Sequence, residues 1–73
     1  MLKKDFSKAI EIYRAALAKD TSSAKLYYNL GLAYVKSEQI ENAMNSYLQA
    51  IKYKPDYAQA WYNIARIHSQ NER

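Results

Sequence analysis

Cysteine is absent from the 73 residues of this chain. Its absence excludes a disulfide scaffold and any zinc site that depends on thiolate ligands. A cysteine-free chain fits a reducing compartment, so we expect an intracellular, cytoplasmic protein. A chain of this length buries only about 60% of its unfolded surface, which predicts a single domain, residues 1–73, of modest stability.

Glycine and proline are nearly absent too, since Gly31 and Pro55 are the only examples. One glycine cannot supply a Gly-rich phosphate-binding loop. Few helix breakers, together with many Ala, Leu, Lys, Glu and Gln residues, favour helix almost throughout. The composition therefore predicts an all-α protein.

Long apolar runs and long charged runs are also missing. No run approaches the ~20 apolar residues that span a bilayer, and residues 1–5 lead into an amphipathic stretch rather than an apolar signal core. We therefore expect a mature, soluble chain that does not contact membranes. The formal net charge is +4, and the longest basic run, Lys3-Lys4, is too short for a nucleic-acid-binding tail.

Candidate catalytic residues reduce to His68, the single histidine. It could act as a general base or metal ligand, or its ring could fill a packing position. We favour packing because no second His, no Cys and no carboxylate stands at ligand spacing. Without an acid, a base and a nucleophile, we predict no catalytic residue, no metal, no cofactor and no enzymatic activity.

Helical periodicity appears in four stretches, residues 6–17, 27–34, 40–51 and 61–68. Apolar residues recur there at i, i+3, i+4 and i+7, which places them on one helix face. The fourth face consists of Trp61, Ile64, Ala65 and His68. The breaks between stretches are short, so neighbouring helices should run antiparallel.

Helix boundaries follow from local chemistry. Ser22 is the expected N-cap of the second helix. Pro55 disfavours helical geometry at the residue before it, so the third helix should stop near Tyr53. Asp56 should cap the fourth helix, with Gln59 completing a capping box.

The sequence repeats itself after a shift of 34 residues. Matched positions carry the same or similar residues: Ala24 and Ala58, Tyr27 and Trp61, Tyr28 and Tyr62, Asn29 and Asn63, Leu30 and Ile64, Ala9 and Ala43, Tyr13 and Tyr47, Ala16 and Ala50. A helix pair that cannot bury its own apolar face must stack on its neighbours, so this period predicts a helical solenoid.

Residues 24–57 carry an aromatic, a Leu-Gly pair, a second aromatic and then Ala, Tyr, Ala and Pro, at Tyr27, Leu30, Gly31, Tyr34, Ala43, Tyr47, Ala50 and Pro55. This pattern resembles the tetratricopeptide repeat family. The resemblance implies an α-α superhelix of four antiparallel helices. Residues 5–20 resemble the second helix of a partial repeat, 24–57 a complete repeat and 58–70 the first helix of another partial repeat. Glu38, Thr21 and His68 depart from the family pattern.

The resemblance implies a protein-interaction module with a concave groove on the side of the first helix of each pair. Tyr13, Tyr27, Tyr34, Tyr47 and Trp61 lie on the core stripes, whereas Tyr28 and Tyr62 point about 100° away from them. The groove would then contain Lys25, Tyr28, Asn29, Leu32, Lys36, Gln59, Tyr62, Asn63, Arg66 and Gln70. The alternative is that these are merely solvated polar positions.

The groove residues favour a protein or peptide partner. Lys25, Lys36 and Arg66 suit an acidic segment or a terminal carboxylate, and tyrosine rings offer flat contact area with a polar tip. An RNA-binding helical repeat is the alternative function, permitted by the positive charge and the tyrosines. We consider nucleic acid the less favoured partner because charge density is low.

The partial repeats predict two uncovered apolar faces. The last helix of one molecule could dock on the first helix of the next, giving open head-to-tail association. A two-fold dimer through like ends is the competing outcome, and an excised piece of a longer array is the third.

Overall fold

The computed structural model describes residues 3–71. Within that range the chain forms four helices and no strand: α1, Lys3–Lys19; α2, Ala24–Lys36; α3, Ile40–Tyr53; and α4, Ala58–Asn71. The predicted all-α fold is confirmed. Each helix packs substantially only on its neighbours in sequence, with the α2–α3 interface the most extensive. This sequential packing is that of a solenoid, and it differs from a closed bundle in which α1 and α4 would pack together.

The second helix begins one residue later than predicted. Ser23 is its N-cap, and the Ser23 hydroxyl accepts a hydrogen bond from the backbone amide of Leu26 at 3.2 Å. The prediction of Ser22 was wrong, because Ser22 lies in the preceding turn, where its hydroxyl donates to Asp20 at 3.4 Å. Both serines have a hydroxyl that can cap a helix. Which of them is the N-cap depends on the residue at which the first helical turn begins.

The end of α2 explains how the chain turns without a glycine. The amide of Gln39 donates to the Tyr34 carbonyl at 2.8 Å, and the amide of Glu38 donates to the Val35 carbonyl at 3.0 Å. This is the Schellman arrangement, which needs a left-handed residue just beyond the helix. Glu38 takes that role with φ 66°, which costs roughly 1 kcal/mol relative to glycine.

The third helix ends at Tyr53, as predicted from Pro55. The predicted capping box of α4 was wrong, since this helix begins at Ala58 and Tyr57 precedes it. The carbonyl of Tyr57 accepts the first helical hydrogen bonds, while the carboxylate of Asp56 lies 3.7 Å from the ammonium of Lys54.

Small residues permit close helix packing at the centre of the α2–α3 pair. A Cβ atom at Gly31 would lie 2.6 Å from Cε1 of Tyr47, so the ring rests directly on the α2 backbone. The Tyr47 side chain is only 1% exposed. The buried hydrophobic residues are Ile10, Leu17, Leu30, Ala33, Tyr34, Ala43, Tyr47, Ala50, Ala60 and Ile67.

The buried face of α4 differs from the predicted stripe. Trp61, Ala65 and His68 are exposed, whereas Ala60 and Ile67 are buried. The prediction that the His68 ring fills a packing position was therefore wrong. The physical reason is that α4 packs on α3 alone, and among the described residues no helix covers the opposite face where the predicted stripe lies.

Candidate functional site

Tyr28 lies at the junction of α2, α3 and α4. Its ring centroid is 5.7 Å from that of Tyr47 and 5.1 Å from that of Tyr57, in tilted contacts on either side. The Tyr28 hydroxyl accepts a hydrogen bond from Nδ2 of Asn63 at 3.1 Å. This bond joins α2 to α4 directly, so it fixes the distance between the two helices that form the groove.

A first depression opens on one side of this junction and is called the Tyr62 cleft. Its volume is about 440 Å³, and it is lined by Tyr28, Leu32, Ala58, Gln59, Tyr62 and Asn63. The ring of Tyr62 is 64% exposed. It therefore provides an accessible aromatic surface at the edge of the cleft.

A second depression lies further along α2 and α4 and is called the Arg66 cleft. Its volume is about 280 Å³, and its lining residues are Leu32, Val35, Lys36, Ile40, Tyr47, Asn63, Arg66, Ile67 and Gln70. The two clefts share Leu32 and Asn63, so they are adjacent on the surface of α2 and α4, and together they are called the groove.

The Arg66 cleft is electropositive. Its lining includes the side chains of Lys36 and Arg66 and no carboxylate. The Arg66 guanidinium also lies 5.8 Å from the ring centroid of Tyr62, a cation–π arrangement that places the charge between the two clefts. A groove with fixed positive charge and no counter-charge attracts anionic ligands.

Burial raises the pKa of two tyrosines that contact Tyr28. It raises the pKa of Tyr47 to about 12, with a further increase from neighbouring Tyr28 and a partial opposing effect of Arg66. Burial, followed by Tyr28, also raises the pKa of Tyr57. The Tyr47 hydroxyl therefore keeps its proton, and its ability to donate a hydrogen bond, to a more alkaline pH than an ordinary tyrosine does.

The structure brings eight of the ten predicted groove residues to these clefts: Tyr28, Leu32, Lys36, Gln59, Tyr62, Asn63, Arg66 and Gln70. Asn29 instead lines a depression between α1 and α2, with Phe6 and Tyr13. Lys25 is exposed in the first turn of α2 and is not among the lining residues of these three depressions.

Sequence reasoning missed Tyr57, Val35 and Ile67 and assigned Tyr47 only to the core. Helical spacing could have found two of them, because Val35 lies three residues after Leu32 and Ile67 lies four after Asn63 on the same helix face. Tyr57 lies just before α4, where periodicity gives no information.

Within residues 3–71, no group of three His, Asp or Glu side chains could hold a metal ion. None of the helices in this part of the chain is long and apolar enough to cross a membrane.

Comparison with known proteins identifies the repeat. The family model described as TPR repeat matches residues 1–37 and 31–71. A peroxisomal targeting signal receptor of Eremothecium gossypii is 37% identical over 67 residues, which are 92% of this chain and 12% of that protein. Tetratricopeptide repeat protein 8 of Caenorhabditis elegans is 36% identical over 61 residues, 81% of this chain and 12% of that protein.

Tetratricopeptide repeat protein 28 of Mus musculus is 34% identical over 58 residues, covering 80% of this chain and 2% of that protein. The chain thus spans 12% or less of the length of these curated relatives. Each of these proteins is similar to this chain along 80% or more of the chain's length. This chain therefore belongs to the tetratricopeptide repeat family, a class of protein-interaction modules.

Proposed function

We propose that this chain binds an extended, acidic peptide segment of a partner protein in the groove formed by the Tyr62 and Arg66 clefts. The observation that carries the proposal is the Tyr28–Asn63 hydrogen bond, which links α2 to α4 at the junction of the two clefts. A groove formed before the ligand arrives loses less conformational freedom on binding.

Polar groups at the junction suit a peptide backbone. Asn63 uses an amide hydrogen on the Tyr28 hydroxyl, which leaves its carbonyl oxygen to accept from a peptide N–H. The Tyr28 hydroxyl accepts that bond and keeps its own hydrogen for a peptide carbonyl. The exposed ring of Tyr62 adds apolar contact area beside them.

The charges favour an acidic ligand. Lys36 of α2 and Arg66 of α4 both line the Arg66 cleft, so both cations would attract a carboxylate bound there. The name of one relative, a receptor for a targeting signal, is consistent with recognition of a short peptide segment. That relative is a much longer protein, and this chain matches only 12% of it.

The test uses arrays of ten-residue peptides in which Glu-rich sequences are paired with their Gln-substituted counterparts, each with a free and an amidated C-terminus. We expect Glu-rich peptides to bind and the Gln versions to bind at least tenfold more weakly. The Lys36→Gln/Arg66→Gln variant should lose at least tenfold in affinity by fluorescence anisotropy. The control Arg14→Gln/Lys52→Gln makes the same charge change outside both clefts and should bind as the wild type.

Two outcomes would contradict the proposal. Equal loss in both double variants would assign binding to net charge and not to the groove. Binding of a single-stranded RNA oligonucleotide that falls steeply with salt, without peptide binding, would favour the RNA-binding alternative instead.

A further inference from the structure

We propose that Tyr57 is a positioning residue of the groove, whose ring holds Tyr28 in place to accept the hydrogen bond from Asn63. Tyr57 stands at the start of α4, at the position where α2 has its capping serine. The chain therefore lacks a serine cap at this helix start and has a ring beside Tyr28 instead. The expected effect on peptide affinity rests on the proposed function, whereas the positioning of Tyr28 does not.

Residues 23 and 57 occupy the same position of the 34-residue repeat. Each is the residue immediately before its helix. The carbonyl oxygen of Ser23 accepts a hydrogen bond from the amide of Tyr27 at 3.1 Å, and that of Tyr57 accepts one from the amide of Trp61 at 3.1 Å. The backbone thus enters α2 and α4 in the same way, and the difference between the two positions is in the side chain.

The two side chains have different partners. The Ser23 hydroxyl accepts a hydrogen bond from the amide of Leu26, in the first turn of α2. Tyrosine is not a preferred N-cap residue, because its hydroxyl lies at the far end of a rigid ring and cannot turn back onto the first turn of its own helix. Helix capping therefore does not explain a tyrosine at residue 57.

The contacts of the Tyr57 side chain point to the groove instead. Its ring centroid lies 5.1 Å from that of Tyr28, with 37° between the ring planes. The ammonium of Lys54 lies 5.7 Å from the centroid of the Tyr57 ring, and the amide of Tyr57 donates to the Lys54 carbonyl at 3.0 Å. These contacts hold both the backbone and the ring of Tyr57 beside Tyr28.

Tyr28 is therefore flanked by two rings that come from different parts of the chain. Tyr47 of α3 is buried in the core and lies 5.7 Å away between centroids, and Tyr57 is the second neighbour. Close packing restricts the rotation of a side chain. Without the Tyr57 ring, Tyr28 gains space on one side and can turn away from Asn63, whose amide group donates to its hydroxyl at 3.1 Å.

Tyr57 acts on the groove through Tyr28. It is not among the lining residues of either cleft, whereas Tyr28 lines the Tyr62 cleft and Asn63 lines both clefts. A rotation of Tyr28 would change the wall of the Tyr62 cleft and release Asn63 at the junction. Loss of the Tyr57 ring should therefore weaken ligand binding without removing a ligand contact.

The first measurement needs no ligand. Nuclear magnetic resonance follows the exchange with water of the Asn63 side-chain amide hydrogens, whose signals are assigned by their loss in Asn63→Ala. We expect faster exchange in Tyr57→Ser, because the bond to Tyr28 opens more often, and wild-type exchange in Tyr57→Phe, which keeps the ring. Tyr57→Leu, an apolar side chain without a ring, gives the same test if circular dichroism shows that Tyr57→Ser is unfolded.

The second measurement compares peptide affinity with stability. Tyr57→Ser should bind Glu-rich peptides about fivefold more weakly, the effect of one lost aromatic pair, although serine supplies the cap that α4 lacks. The matched control is Tyr53→Ser, which removes the Tyr53 ring from its stack on Tyr27, at 5.8 Å, outside both clefts. This control should lower the urea midpoint and leave both affinity and Asn63 exchange unchanged.

The two measurements separate this proposal from the proposed function. Wild-type Asn63 exchange in Tyr57→Ser, or fast exchange in Tyr57→Phe, would overturn the positioning role whether or not a peptide binds. Fast exchange in Tyr57→Ser alone, with no peptide bound by the wild type, would support the positioning of Tyr28 and contradict the proposed function. Fast exchange with unchanged peptide affinity would overturn the link between Tyr57 and binding.

Discussion

At the scale of single residues, Gly31 and Tyr47 determine how closely α2 and α3 pack. The tyrosine ring occupies the space that a side chain at residue 31 would need. Because Tyr47 is almost fully buried between helices, it has little freedom to move away. Because glycine has no Cβ atom at residue 31, the two helices can pack this closely.

We predict that Gly31→Ala destabilises the chain. Overpacking costs about 1–3 kcal/mol, while alanine in place of glycine returns about 1 kcal/mol of helix propensity. The net loss should be about 1 kcal/mol in the free energy of unfolding, measured by urea denaturation. As a control, Ser69→Ala on the exposed side of α4 gives a gain in helix propensity without overpacking. If Gly31→Ala instead raised the free energy of unfolding, the Tyr47 ring could not rest on α2 as described.

The raised pKa of Tyr47 predicts a loss of stability in alkali. The native state keeps the proton up to pH 12 or so, whereas the unfolded chain releases it near the ordinary value of 10.0. The unfolded state then binds fewer protons, so stability is complete below pH 10.0 and falls as the pH rises towards 12.

The expected loss from this group is about 2 kcal/mol. Urea denaturation at pH 9 to 12 should show a shallower decline for Tyr47→Phe than for the wild type. Tyr53→Phe removes the hydroxyl of an exposed tyrosine and should decline as the wild type does. Parallel slopes for all three proteins would contradict the assignment.

At the scale of elements, the helix ends differ in how they are stabilised. Helix α2 has a side-chain cap at Ser23 and a Schellman end with Glu38 in the left-handed region. Helix α3 begins at Ile40, and the side chain of its N-cap residue, Gln39, makes no capping hydrogen bond. Its position therefore depends on packing of its apolar face against α2 and α4 more than on local signals.

Two neighbouring serines provide a matched test of the cap. Ser23→Ala should lower the free energy of unfolding by about 1 kcal/mol, because the Leu26 amide loses its acceptor. Ser22→Ala should change it by less than about 0.5 kcal/mol, since this residue lies outside the helix. Thermal melts followed by circular dichroism compare the stability of the two variants. If Ser22→Ala lowered stability more than Ser23→Ala, α2 would begin one residue earlier.

At the scale of the whole molecule, the groove depends on all of α2, α3 and α4. Helices α2 and α4 supply most of the lining, and α3 supplies Ile40 and Tyr47. The Tyr28–Asn63 bond then joins the two outer helices. The peptide arrays act at this scale, because the two clefts combine residues of α2 with residues of α4.

The sequence by itself determined the all-α fold, the repeat and the end of α3. Each rests on patterns within one helix or on the 34-residue period, which repeats in the printed residues. Together with the family resemblance, it also selected most of the residues that line the groove, because Tyr28 and its counterpart Tyr62 both lie one residue off the core stripes. These features need no knowledge of what lies opposite each helix.

Only the tertiary structure decided which face of α4 is buried and which tyrosines meet. Trp61 and His68 carry a core pattern but are exposed, because burial requires a neighbouring helix and, among the described residues, α4 packs substantially only on α3. The Tyr28–Asn63 contact joins residues 35 positions apart. Periodicity places a residue on a face, whereas the partner across that face depends on how whole helices pack.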